Sequence, residues 1–173
     1  MEIQNNNQVL VNMQDFKLVT NPNASFEDYG WTPRFVDELL EMAADEEEQE
    51  WLEAEDLNDL GIIYSESIGV DRDMQKAIMF YERAVELDDD LARSNLADIY
   101  RKGMNGVAVD HKKAFELYSD CKLPYAYYRV GEYYETGRAG ITDQEEAKRY
   151  YRIAYKAGHN LARKKLETFD FMK

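Results

Sequence analysis

Apolar and polar positions follow one pattern that recurs three times along the chain. An apolar block that ends in tyrosine begins at Leu60, Leu96 and Val130, so the copies lie 36 and 34 residues apart. Each copy continues with a glycine–aliphatic pair, an aspartate and a second apolar block at helical spacing. Apolar residues that recur every three or four positions in units of this length predict helix–turn–helix repeats, which bury their apolar faces by stacking on their neighbours.

Glycine and aspartate mark the predicted helix ends inside a repeat. In the second unit the first helix is predicted over about 92–102. Gly103 and Gly106 are expected to end it, since residues just past a helix C-terminus often take positive φ. Asp110 is placed to cap the following helix by accepting backbone N–H bonds from its first turn.

Ahead of the repeats, Thr32 and Pro33 form a helix-start signal, and the apolar spacing that follows predicts a leading helix near 33–44. An acidic run over 45–50 then interrupts the apolar stripe, which restarts at Trp51 and Leu52. The run either connects two helices or lies early in the second one, where the helix dipole favours negative charge. We predict a long helix from about 47 to 66.

The repeat pattern does not reach either end of the chain. Residues 1–31 are predicted to form an extended or partly disordered segment, with docking on the helical body and disorder both left open. In the tail, Leu161, Ala162 and Leu166 share the register of the first helices and predict a C-terminal capping helix, which Phe169 and Phe171 would help to fold back. The predicted divisions are the segment 1–31, an acidic leading helical region over 32–55, the repeat domain over 56–166 and a tail over 167–173.

Charge is distributed unevenly along the 173 residues. The net charge is −14, and residues 1–60 hold 16 acidic and 2 basic side chains, whereas residues 61–173 hold 19 of each. This balance argues against a nucleic-acid partner, which needs a clustered basic face. The acidic third either steers a basic protein partner or serves only to keep the protein in solution.

Composition also bears on the compartment. The single cysteine excludes an internal disulfide framework and fits a reducing environment. The N-terminus lacks the basic and apolar regions of a signal peptide, and no apolar run approaches the roughly 20 residues of a membrane span. We therefore expect a cytoplasmic protein without a membrane partner.

Residues suited to catalysis are few. The two histidines, His111 and His159, lie near predicted helix ends and are expected at the surface, and no common metal-binding, redox or phosphate-binding motif occurs. Cys121 takes the place of Ala84 and Ala154 in the other units, which predicts a small core residue and not a nucleophile. We expect no enzyme activity, no metal and no cofactor.

The second unit resembles the Sel1-like repeat, a relative of the tetratricopeptide repeat. The resemblance rests on Leu96 and Tyr100, then Gly103, Gly106-Val107, Asp110, Lys113-Ala114 and Tyr118, and the first unit follows the same pattern. The third unit departs from it, with Glu146 in place of the lysine. The resemblance covers about 56–166 and implies an all-α, right-handed α/α superhelical solenoid of three repeats that binds other proteins as an adaptor or scaffold.

By analogy with tetratricopeptide units, residues beside the core positions of each first helix are expected to line a concave groove. Ile62 and Tyr128 are large where polar side chains are expected, which suggests exposed anchors for a partner. Ile62 could instead pack against the N-terminal segment. The full predicted groove consists of Asn58, Ile62, Ser65, Ser94, Asp98, Arg101, Tyr128, Glu132 and Glu135.

Three roles follow from these features. The first is a protein-binding adaptor or scaffold that recognises a partner along the groove of the first helices. The second is an acidic inhibitor or immunity protein that occludes a basic partner enzyme, such as a toxin, with residues 1–60. The third is a structural role through self-association.

Overall fold

A computed structural model describes residues 25–171 of the protein, with side chains up to Phe169. The regular secondary structure of these residues is entirely helical, with eight α-helices and three short 3-10 helices. The α-helices are α1 Pro33–Ala44, α2 Ala54–Glu66, α3 Met74–Glu86, α4 Asp90–Lys102, α5 His111–Ser119, α6 Pro124–Thr136, α7 Gln144–Lys156 and α8 Asn160–Phe171. The 3-10 helices are Phe26–Tyr29, Glu48–Trp51 and Met104–Gly106.

The repeats form three consecutive helix pairs. We call α2, α4, α6 and α8 the A helices, and α3, α5 and α7 the B helices. Helices α2, α4 and α6 each pack against the B helix that follows, and each B helix packs in turn against the next A helix. The predicted all-α superhelical repeat fold is thereby confirmed.

The three A-to-B turns share one construction. In each, the aspartate side chain caps the B helix by accepting backbone N–H bonds at 3.0 Å. The backbone N–H of the same aspartate donates to the carbonyl of the repeat tyrosine in the A helix, at 2.8–3.1 Å. The pairs are Asp73 with Tyr64, Asp110 with Tyr100, and Asp143 with Tyr134. Gly103 and Gly106 have φ of 67° and 91°, as predicted.

In the first and third repeats, a tyrosine of the B helix packs against a glycine of the A helix. A Cβ atom on Gly61 would lie 2.4 Å from the Tyr81 ring, and one on Gly131 would lie 2.8 Å from the Tyr151 ring. Both tyrosines are fully buried. The second unit has Ala97 at this register. The glycines of the first and third repeats therefore let the two helices of a unit approach each other closely.

Cys121 is a core residue, as predicted. Its side chain is 1% exposed and belongs to the apolar cluster of the second and third repeats, with Ala114 and Ala126. Burial raises the pKa of the Cys121 thiol to about 12. A protonated, enclosed thiol is unsuited to nucleophilic chemistry.

The region before the repeats differs from the prediction in one respect. The leading helix α1 spans Pro33–Ala44, and the Thr32 hydroxyl oxygen accepts from the Phe35 N–H at 3.1 Å. The predicted long helix over 47–66 is wrong, because it is broken after the 3-10 helix Glu48–Trp51. Leu52 turns inward with extended backbone angles, and Glu53 then caps α2. Trp51, expected on the apolar stripe, is 78% exposed.

The two ends of the described region cover the solenoid. Phe26 and Trp31 pack against the core of the first repeat, while residues 1–24 of the predicted N-terminal segment lie outside the described residues. At the other end, Ala162 of α8 is fully buried and the Phe169 ring lies 6.0 Å from that of Tyr151. The predicted capping helix is thus present, while the expected role of the Phe171 side chain lies outside the described residues. No helix within residues 25–171 combines the length and apolar character that a membrane span requires.

Candidate functional site

Side-chain hydrogen bonds join each pair of successive A helices. Between α2 and α4, Asn95 Nδ2 donates to Asn58 Oδ1 at 3.0 Å. Between α4 and α6, the Tyr125 hydroxyl donates to both carboxylate oxygens of Asp98, at 3.0 and 3.1 Å. Between α6 and α8, Lys165 Nζ donates to Glu135 Oε2 at 2.7 Å. We call this series of contacts the A-helix ladder.

Asp98 is the most enclosed member of the A-helix ladder, with no exposed surface. Its carboxylate pairs with Arg101 at 2.7 Å and Lys102 at 3.2 Å, and it accepts from the Tyr118 hydroxyl at 2.5 Å. Burial on its own would raise the pKa of Asp98. The charges of Arg101 and Lys102 outweigh burial and hold that pKa below its usual value.

The B-helix tyrosines account for three of the predicted groove positions. The Tyr81 hydroxyl lies 3.4 Å from Ser65 Oγ, and the Tyr151 hydroxyl donates to Glu135 at 2.5 Å. Arg101 Nε donates to the Tyr118 hydroxyl at 3.3 Å. Ser65, Arg101 and Glu135 occupy one register in the three A helices. In each repeat, this residue of the A helix therefore contacts the buried tyrosine of the B helix and helps to hold the two helices together.

Tyr128 is buried, so the expectation that it is an exposed anchor is wrong. Its side chain is 8% exposed, and its ring stacks on that of His159 with a centroid distance of 4.5 Å. His159 is itself 3% exposed, so its predicted surface position is wrong too. His159 lies in the turn before α8, and this turn brings its ring onto that of Tyr128. His111 is partly exposed, and its Nδ1 lies 3.2 Å from the Tyr133 hydroxyl.

The nine predicted groove residues fall into two groups. Five are buried within the chain, so the expectation that they lie outside the core is wrong, and their role in binding stays a prediction: Asn58, Ser65, Ser94, Asp98 and Tyr128. Four keep part of their surface: Ile62, Arg101, Glu132 and Glu135. Ile62 packs partly against the core of the first repeat. The role of these four in binding stays a prediction.

Two charged residues beside this group, Arg129 and Lys165, lie outside the predicted groove. Arg129 lies over the Tyr125 ring at 4.7 Å and pairs with Glu132 at 2.5 Å, while Lys165 pairs with Glu135. Both precede a core residue, Val130 or Leu166, by one position. Arg129 lies one position after the groove residue Tyr128, and Lys165 lies in α8, a helix that contributes no residue to the predicted groove.

The accessible part of the A-helix surface is therefore a set of paired charges. The side chains of Arg101, Arg129, Glu132, Glu135 and Lys165 are between 18% and 30% exposed. Such an arrangement can donate and accept hydrogen bonds to a partner backbone or side chain. Within residues 25–171, no group of His, Cys, Asp and Glu side chains is arranged to hold a metal ion.

Comparison with known proteins agrees with this architecture. The family described as Sel1 repeat matches residues 54–89, 91–119 and 124–159, which is more than half of the chain. No curated protein sequence matches this chain. Among solved structures, a Sel1 repeat protein from Oxalobacter formigenes is similar, with a TM-score of 0.63 and 25% identity over 67% of this chain and 47% of that protein.

A second similar structure is c5321, a protective antigen of uropathogenic Escherichia coli strains that displays an SLR fold. It has a TM-score of 0.64 and 28% identity over 69% of this chain. The chain spans 47% and 26% of the lengths of these two proteins. Sel1 repeats generally serve as protein-interaction scaffolds. The matched repeats and the solenoid architecture show that the chain belongs to the Sel1-repeat family.

Proposed function

We propose that this chain is an adaptor that binds one partner protein along the exposed edge of the A-helix ladder, without chemistry of its own. The observation that carries the proposal is the set of partly exposed charge pairs on α4, α6 and α8. We further propose that it acts in the cytoplasm, because a free thiol such as that of Cys121 is typical of a reducing compartment.

Pre-organisation favours this surface for binding. The Arg129–Glu132 and Lys165–Glu135 pairs hold long side chains in defined positions before a partner arrives. Less conformational entropy is then lost on association than for free lysines or glutamates. Ile62 lies at the same register as Asp98 and Glu132 and adds a partly exposed aliphatic contact at the first repeat.

The test is affinity capture from lysate with the full chain and with an Ile62→Ala, Glu132→Gln variant. Met79→Ala is the matched control, because Met79 is 43% exposed on the B helix α3. We expect a partner that the control retains and the ladder variant loses, with unchanged circular dichroism in both. Equal recovery by all three proteins would overturn the proposed site.

A second candidate is an acidic inhibitor or immunity protein that occludes a basic enzyme. It is supported by the stretch 45–59, which contains nine carboxylates and no basic residue. Seven of these nine residues are exposed. Inhibition through this stretch should weaken steeply from low to high salt, because exposed charges are screened, whereas binding through Ile62 should change little.

A further inference from the structure

The turn between α1 and α2 exposes an indole ring. Trp51 is 78% exposed, the largest exposed fraction among the large hydrophobic side chains of the described residues. Tryptophan is among the residues most enriched at the energetic centres of protein interfaces. A solvated indole ring leaves much apolar surface to bury on binding.

The exposure of Trp51 is not the result of a loosely attached turn. Arg83 of α3 donates to the Gln49 carbonyl at 3.0 Å and to its side-chain oxygen at 3.3 Å. Leu52, the next residue after Trp51, is 5% exposed and belongs to the core of the first repeat. Contacts on both sides of the indole therefore fix the backbone that presents it.

The charges around Trp51 identify the chemistry of a partner. Glu48, Glu50 and Glu53 are its near neighbours in sequence and all are exposed, while the stretch 45–59 itself contains no cation and Arg83 of α3 binds Gln49 within it. Polyanions such as nucleic acid are repelled here.

We propose that Trp51 anchors a lysine- or arginine-rich segment of a partner protein, which the surrounding carboxylates attract. A guanidinium group stacks favourably on an indole face, and neighbouring carboxylates can pair with it at the same time. This inference rests on the second candidate function, the acidic inhibitor of a basic enzyme, and assigns one contact residue to it. It is independent of binding along the A-helix ladder.

The test uses the full chain and a synthetic deca-arginine peptide as the probe. Trp31→Phe is introduced as the background so that Trp51 alone reports by fluorescence. We expect a saturable change in Trp51 emission at low salt. In calorimetry on the otherwise native chain, Trp51→Ala should weaken deca-arginine binding about tenfold. Ile141→Ala, which removes another exposed apolar side chain in the third repeat, should leave the affinity unchanged.

The possible results separate the two ideas. Equal affinity of wild type and Trp51→Ala would overturn the anchor while leaving the acidic inhibitor candidate standing. No binding of deca-arginine at low salt would overturn both. Loss of affinity in Trp51→Ala but not in Ile141→Ala would support the anchor, whatever the outcome for the Ile62 and Glu132 variant.

Discussion

The hydroxyl of Tyr125 donates to both carboxylate oxygens of Asp98, at 3.0 and 3.1 Å, and so links the second repeat to the third. The same carboxylate accepts from Tyr118 within its own repeat. One side chain without exposed surface thus sets the position of both a B helix and the next A helix. The stacking of these two repeats depends on a buried charge as well as on apolar contacts.

Replacing Asp98 with asparagine should lower the free energy of unfolding. The change keeps the size of the side chain but removes the negative charge with which the partly buried Arg101 and Lys102 pair. Removing one partner of a buried ion pair costs about 3 kcal/mol. Urea denaturation at neutral pH measures the loss, with Glu41→Gln on the exposed face of α1 as the control. An unchanged midpoint for Asp98→Asn would contradict this role.

The pH dependence of stability should carry the signature of Asp59. Its pKa is raised in the folded state to about 7, by burial first and then by the charges of Glu55 and Asp56. The folded state therefore binds a proton that the unfolded state has released, and stability falls as pH rises from about 4 to about 7. Asp59→Asn removes this term. It should raise the free energy of unfolding at about pH 8 by about 1 kcal/mol after solvent screening is allowed for, with little effect at about pH 5.

Urea titrations at a series of pH values test this sign directly. The wild-type chain should lose stability across the interval, and the Asp59→Asn chain should lose less. Asp98 contributes in the opposite direction and at lower pH. Its depressed pKa adds stability above the unfolded value, which is lost as pH falls through the folded value. Parallel curves for wild type and Asp59→Asn would refute the assignment.

Local features of this fold could be predicted from sequence because few residues decide them. Asp110 caps α5, and Gly103 takes positive φ after α4. Each of these features depends only on residues within about one helical turn, so local sequence is enough to predict it. The break after Trp51 has no clear signal in the sequence. The apolar periodicity continues from Leu52 to Leu57 across it, while the Glu53 cap that starts a new helix uses a residue common inside helices.

The candidate site was less predictable because its residues depend on distant partners. Tyr128 looks exposed when its own helix is considered, but His159, from the turn that precedes α8, stacks on it. Asp98 is enclosed by Tyr118 and Tyr125, which come from two other helices. The apolar spacing of one A helix indicates which of its residues point away from the B helix of the same repeat. It does not indicate which of those residues the next repeat covers.

Cys121 should be inert to thiol reagents while the protein is folded. The thiolate is the reactive form, and burial raises the pKa of this thiol to about 12 while leaving its side chain 1% exposed. Ellman's reagent at about pH 8 should release no thionitrobenzoate from the native chain and one equivalent after denaturation. Rapid labelling of the native protein would show that the second and third repeats separate readily.

Gly61→Ala should destabilise the protein although alanine is the better helix former. A Cβ at this position would lie 2.4 Å from the Tyr81 ring, which is fully buried, so this ring or its neighbours would have to shift. Overpacking of this kind costs about 1–3 kcal/mol, more than the roughly 1 kcal/mol gained from helix propensity. Thermal unfolding is measured for Gly61→Ala, for Tyr81→Leu and for the double variant. Because leucine is smaller than tyrosine, the Gly61→Ala change should cost less stability in the Tyr81→Leu background than in the wild-type chain. If Gly61→Ala were as stable as wild type, close helix approach at Gly61 would not be required in the first repeat.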